Sequence, residues 1–146
     1  MKTLVIYTSK HGSTEKVARA MAEVLKADLK KTEDTRPETA NGYDFIGFGS
    51  GIYGGKADKA LFELVESLDG KGKKAFVFAT SGGAKEESNE HLVKALKAQG
   101  FEVAGSFICR GLFAWGPFRL FGGMNKGRPD EKDLEDAREF AKGLLR

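Results

Sequence analysis

Residues 5–21 read VIYTSKHGSTEKVARAM: a short apolar strand, a loop of hydroxyls from Ser9 to Thr14 with one glycine, a lysine and a histidine, then an amphipathic helix. A strand that runs straight into a helix leaves the first helical N–H groups without intrahelical acceptors, and the helix dipole adds partial positive charge at that end. An oxyanion is favoured there. Ser9, Ser13 and Thr14 add hydroxyl donors, Lys10 adds a cation, and Gly12 lets the backbone approach a ligand closely. Thr14 followed by Glu15 suits a helix start whose first turn carries negative charge.

Outward from that stretch, apolar periodicity alternates between strand and helix. Residues 3–8 form the first strand and 14–26 the first helix, with Val17, Ala20, Met21, Val24 and Leu25 on one stripe. A second strand at 28–31 has only Leu29 to bury, which places it at or near a sheet edge. Strands at 43–50 and 75–79 carry apolar runs of the kind covered on both faces. Helices at 57–68 and 86–99 and a strand at 103–109 follow, with Gly100 ending the second of these helices. Pro129 opens a last helix, 130–145, whose Leu134, Ala137, Phe140, Ala141, Leu144 and Leu145 are expected to point inward. The pattern is that of the α/β class, a parallel sheet with helices on both faces, in a single domain over residues 1–146.

The opening stretch resembles the flavodoxin signature: a hydrophobic run ending in an aromatic, then Ser/Thr, a small residue and Thr at set spacings, here Val5, Ile6, Tyr7, Ser9, Gly12 and Thr14. Ala18 matches a later position, and Met21 stands where a branched aliphatic is usual, a mild departure because Met also packs on a buried helix face. The resemblance implies a flavodoxin-like doubly wound three-layer sandwich, a five-stranded parallel sheet in the order 2-1-3-4-5, with FMN held by its phosphate in the first loop. Ligands of such sheets bind beyond the carboxyl ends of the strands, where the order reverses. The loops after strands one, three and four then converge on one site.

Both of the other loops are rich in glycine. Residues 50–56 read SGIYGGK, and Gly49, Gly51 and Gly54 satisfy G-x-G-x-x-G. That dinucleotide fingerprint belongs on the first strand–helix turn and wants an acidic residue at the end of the next strand, where Ala79 and Thr80 stand instead. The resemblance implies that Ser50, Gly51, Ile52, Tyr53 and Gly54 line the flavin, and that a peptide at Gly54 or Gly55 flips on one-electron reduction. Glycine eases such a flip because it tolerates positive φ. Tyr53 has two readings, packing on the ring or covering the sheet edge. Residues 80–85 read TSGGAK and lack the aromatic that flavodoxins frequently place there. Thr80, Ser81, Gly82 and Gly83 are expected to position the ring through N–H groups directed at its carbonyl oxygens.

Residues 109–128, CRGLFAWGPFRLFGGMNKGR, hold Phe113, Trp115, Phe118 and Phe121 in a glycine-interrupted connection. Trp115 is the candidate replacement for the missing stacking aromatic. The same residues also suit packing over the sheet rim, or an interface with a second copy of the chain or a redox partner. The interleaved Arg110, Arg119, Lys126 and Arg128 do not amount to a nucleic-acid surface. His11 either donates to the phosphate or lies solvated in its loop. His91 has no acidic or cysteine partner at metal-ligand spacing, so no metal site is expected. Cys109 reads as an inert core thiol, and no spacing supports a Ser–His–Asp arrangement, so no catalytic residue is assigned.

A chain of 146 residues, 40% hydrophobic, suits one core. Its single cysteine cannot form an internal disulfide, and the opening has no signal-peptide pattern, so a reducing cytoplasmic location is expected. No apolar run approaches the length of a membrane span. The net charge of +3 is too modest to argue nucleic-acid binding, yet it sets the chain apart from the flavodoxins it resembles, which are commonly acidic. The resemblance implies an FMN-binding electron carrier between redox partner proteins, with a lower potential less negative than that of acidic flavodoxins. The alternative is an FMN-dependent oxidoreductase acting on a quinone or a porphyrinogen, similar to the menaquinone-dependent protoporphyrinogen dehydrogenases, whose substrate the aromatic stretch would face.

Overall fold

Five parallel strands form one sheet in the order β2-β1-β3-β4-β5: β1 is Thr3–Thr8, β2 Asp28–Lys31, β3 Phe45–Gly51, β4 Lys74–Ser81 and β5 Glu102–Arg110. The helices are α1 (Ser13–Leu25), a short α2 (Pro37–Ala40), α3 (Lys59–Glu66), α4 (Glu90–Ala98) and α5 (Glu131–Leu144). The computed structural model describes residues 1–10, 12–53, 55–82, 86–110 and 129–145.

Alternation along each strand sorts the apolar residues into two cores, because successive side chains leave opposite faces of a sheet. Leu4, Ile6, Ile46, Phe48, Ala75 and Val77 face α3 and α4, where Leu61, Leu64, Val65, Leu92 and Leu96 meet them. Val5, Tyr7, Phe45, Phe76 and Phe78 face α1 and α5 and meet Val17, Ala18, Met21, Ala137 and Ala141. Burying a Leu, Ile or Phe fully is worth about 1.5–3 kcal/mol, so these two layers supply the main driving force of the fold. On β3 the second face is nearly bare: a Cβ at Gly47 would lie 2.2 Å from Phe76 Cζ, and one at Gly49 would lie 2.0 Å from Phe78 Cε2. The glycines of β3 make room for the rings of β4.

Several boundaries move from their expected places for local reasons. α3 begins at Lys59 rather than at Ala57 because Asp58 caps it, its Oδ1 accepting the Ala60 N–H at 2.9 Å. The polar stretch after β2 contains a 3-10 turn, Thr32–Asp34, and the Pro37-initiated α2. α4 is preceded by a 3-10 turn over Glu86–Asn89, and the Asn89 side chain ties it to β5 through Ser106 Oγ and the Phe107 carbonyl. α5 starts in a capping box, Asp130 Oδ1 accepting from Asp133 N–H and Asp133 Oδ2 from Asp130 N–H. Leu145 does not point inward as expected; it lies past the last helical turn and is 56% exposed. Among the described residues no helix is long and apolar enough to cross a membrane.

Register decides where the loops emerge. Thr8 pairs with Ser50, Gly51 with Thr80 and Ser81 with Arg110, so β1, β3, β4 and β5 end side by side at one edge.

Candidate functional site

The loop leaving β1 turns into α1 at Gly12, whose φ of 82° is the left-handed conformation that a side chain would strain. Gly12 N–H donates to Ser9 Oγ at 3.0 Å, closing the loop into a tight turn while the Ser9 hydroxyl keeps its own hydrogen to give. Among the described residues no side chain caps α1, and the first N–H groups of a helix have no acceptor within it. Thr14, 1% exposed, meets Thr80 with their Oγ1 atoms 2.8 Å apart. One of these hydroxyls donates to the other, which leaves a single hydroxyl hydrogen for a third group.

Glu15 is the carboxylate that lies closest in sequence to this loop, and its charge is drawn off it. Arg19 Nε donates to its Oε2 at 3.2 Å and Tyr7 OH to its Oε1 at 3.1 Å, and these bonds hold the carboxyl below its ordinary pKa. Burial, reinforced by the Glu15 carboxylate, raises the Tyr7 phenol. The loop therefore presents N–H, hydroxyl and ammonium groups, the donor chemistry that suits a phosphate.

The loop after β3 is braced from both ends. Ser50 Oγ donates to the Gly51 carbonyl at 2.6 Å and accepts the Asp58 N–H at 2.9 Å, which commits the Ser50 hydroxyl to the loop itself. Ile52 N–H continues the ladder to the Thr80 carbonyl at 3.0 Å. Tyr53 and Lys56 then pair across a two-residue turn, Tyr53 N–H to the Lys56 carbonyl at 2.7 Å and Lys56 N–H to the Tyr53 carbonyl at 3.3 Å, with Gly55 at φ 84°. A positive φ there is what glycine permits.

Tyr53 bends back across the start of its own loop. A Cβ on Gly51 would stand 2.6 Å from the phenol oxygen, so Gly51 is required by the ring above it. Lys10 Nζ lies 4.1 Å from the centre of that ring, a cation–π contact that joins the β1 loop to the β3 loop. Burial and the nearby Asp58 carboxylate raise the Tyr53 phenol above its ordinary pKa.

Of the residues anticipated from sequence, the structure brings Ser9, Lys10, Gly12, Ser13 and Thr14 together with Ser50, Gly51, Ile52 and Tyr53 and with Thr80, Ser81 and Gly82 at one edge of the sheet. His11, Gly54, Gly83 and Trp115 lie outside the described residues, as does most of the aromatic stretch. Asp58 was not anticipated, although an Asp directly before an amphipathic run is a recognisable cap. The glycine triplet at 49, 51 and 54 is accounted for at two positions by rings, Phe78 over Gly49 and Tyr53 over Gly51. His91 is exposed on α4, and among the described residues no group of His, Cys, Asp and Glu side chains could hold a metal.

The chain is 43% identical, over its full length and 99% of the relative, to the uncharacterised protein MJ0298 of Methanocaldococcus jannaschii. It is 25% identical to the flavodoxin-like domain-containing protein BilS of Clostridioides difficile, covering 99% of this chain and 97% of BilS. Its fold superposes on oxidised flavodoxin 2 of Bacillus cereus with a TM-score of 0.76 at 24% identity, covering 99% of this chain and 98% of that one. Flavodoxins bind FMN and transfer electrons to partner proteins. Residues 4–111, from the first strand to just past the fifth, match the family described as Flavodoxin domain, and the chain belongs to that family as an FMN-binding flavodoxin-type protein.

Proposed function

We propose that this protein is a cytoplasmic electron carrier whose FMN accepts electrons from one redox protein and delivers them to another. The observation that carries this reading is the joining of three loops at one sheet edge, the first to the third by Thr14 and Thr80 and the first to the second by Lys10 and Tyr53. FMN, when bound, supplies one- and two-electron chemistry. The chain's own residues hold and bias it.

The N–H groups at the start of α1, the Ser9 hydroxyl and the one free hydrogen of the Thr14–Thr80 pair would take the phosphate. Ile52, Tyr53 and Gly82, in the loops after β3 and β4, would line the ring, and Gly55, at φ 84°, gives the segment between Tyr53 and Lys56 the freedom to shift a peptide. The exposed Lys10, Lys56 and Arg110 around this edge place positive charge where acidic flavodoxins carry negative charge. A reduced, anionic flavin is then less disfavoured, and a docking partner would present acidic residues.

The test adds FMN to the purified protein, records spectra during stepwise reduction, and measures electron delivery to protein acceptors beside steady-state turnover with a quinone and with a porphyrinogen. Stoichiometric FMN uptake, two resolved one-electron steps and transfer to a protein acceptor support the carrier. Rapid turnover of a small substrate without a protein acceptor replaces it with the oxidoreductase.

A further inference from the structure

Asn89 stands directly before α4, where a short polar side chain ordinarily turns back to cap the first helical N–H groups. It makes no such bond. Its backbone is already helical, at φ −88° and ψ −11°, and its side chain, in a residue only 2% exposed, reaches across to β5 instead. There one amide nitrogen donates twice, to Ser106 Oγ at 2.9 Å and to the Phe107 carbonyl at 3.0 Å. Among short side chains only that of Asn gives two hydrogens from one atom.

The two acceptors sit on a stretch of β5 in unbroken register with β4: Val77 pairs with Ser106, Phe78 with Phe107, and the pairing runs without a shift to Ser81 and Arg110. The β4 loop leaves from the end of that same ladder. It is fixed at its departure by the ladder and by the Thr14–Thr80 contact, and at its return by Asn89. Between these anchors lie residues 82–88, which include Gly82 and Gly83. Glycine loses more conformational freedom on ordering than any other residue, so a segment of this composition depends on its fixed ends for a defined course.

We propose that Asn89 is a positioning residue for the flavin: by fastening the return of the β4 loop to β5, it presets the backbone against which the ring would lie. The assignment rests on the FMN reading above and extends it to a side chain that acts only through the loop. Without this clasp the loop has to be ordered when the ligand binds, and that free energy is subtracted from the affinity. The loss falls on the ring end of the ligand, because the contacts that shape the β1 loop do not involve Asn89. Asn89 therefore acts on riboflavin and FMN alike and leaves the ratio of their affinities unchanged. It acts on the potential by the same route, since loop N–H groups held in place favour the negative charge that reduction adds to the ring.

The experiment compares wild-type protein with Asn89→Leu, which keeps the branched shape and removes both hydrogens, and with Ser106→Ala, which removes one of the two acceptors. Calorimetry gives the affinities for FMN and riboflavin, spectroelectrochemical titration of the FMN-loaded proteins gives the two potentials, and thermal melting without flavin gives the stability. Asn89→Leu should lower both affinities roughly tenfold, the equivalent of ordering about one further residue on binding, and make the lower potential more negative. Ser106→Ala should lower both affinities by about threefold, since the bond to the Phe107 carbonyl remains. A lower melting temperature with unchanged riboflavin affinity and unchanged potentials makes Asn89 a support of the fold alone and overturns the assignment. So does a loss confined to FMN, which would place the effect at the phosphate. Should Asn89→Leu fail to fold, Ser106→Ala decides by the same criteria. A wild type that takes up neither flavin overturns the FMN reading, whereas a wild type that binds both, with both variants indistinguishable from it, overturns only the role of Asn89.

Discussion

Thr14 and Thr80, 66 positions apart in the chain, place their hydroxyls 2.8 Å from each other and so hold the start of α1 against the end of β4. Thr14 is 1% and Thr80 5% exposed, so each hydroxyl depends on the other or on a ligand for its hydrogen bond. Thr14→Val should cost about 1–3 kcal/mol, the penalty of leaving one buried polar group unpaired. The Thr14→Val/Thr80→Val double variant should lose less than the sum of the singles. Urea unfolding of the four proteins measures this, and strict additivity would mean that the contact contributes nothing.

Gly49 is a packing residue, and the structure gives the size of the expected effect. A methyl placed 2.0 Å from Phe78 Cε2 forces a buried ring to move inside a filled core. Gly49→Ala should destabilise by about 1–3 kcal/mol, and adding Phe78→Leu should recover part of the loss by making room. Thermal melting of the single and double variants decides the matter, with equal melting temperatures for Gly49→Ala and wild type as the contrary result.

Glu15 links stability to pH. Its bonds to Arg19 and Tyr7 depress its folded pKa below the ordinary 4.5, so the native state favours the ionised form more than the unfolded chain does. The stabilisation is in place above about pH 4.5 and is lost as pH falls through the lower folded value. The carboxylate is 36% exposed, and solvent screening keeps the effect small. Glu15→Gln should flatten the acid side of a stability–pH curve and, because the Glu15 carboxylate also raises the Tyr7 phenol, soften the alkaline fall, leaving the neutral region parallel to wild type. Identical acid limbs in the two proteins would remove Glu15 from the account.

Lys10 should set both affinity and potential. Its ammonium stands over Tyr53 beside the phosphate loop and adds positive potential to the site. In Lys10→Gln the lower of the two one-electron potentials should become more negative, on the order of 40 mV for roughly 1 kcal/mol of lost attraction to an anionic reduced ring. The salt dependence of FMN binding should weaken as well. A spectroelectrochemical titration at low and at moderate ionic strength checks both, and an unmoved lower potential would assign the positive bias to other groups.

The periodicity of this chain specified most of its architecture. The β1–α1 stretch, the alternation of apolar strand and amphipathic helix, and the poor edge strand at Asp28–Lys31 all follow from local rules that a single residue pattern can express. So did the gathering of the β1, β3 and β4 loops, since parallel strands in this order have their carboxyl ends on one edge. What no local pattern could express is the use to which individual groups are put. Ser50 reads as a residue that lines the ligand, and only the folded chain shows its hydroxyl bridging the Gly51 carbonyl and the Asp58 N–H. The sequence excludes a dinucleotide fingerprint at the β3 glycines by their place in the chain, but their packing use becomes visible only when the rings of Phe76, Phe78 and Tyr53 are seen occupying the space that they leave. Hydrogen-bond partners and close packing belong to residues distant in sequence and adjacent in space. They become definite only when the chain has closed on itself, and that is why the sequence determined the frame of this site and the tertiary structure decided which side chains remain to bind.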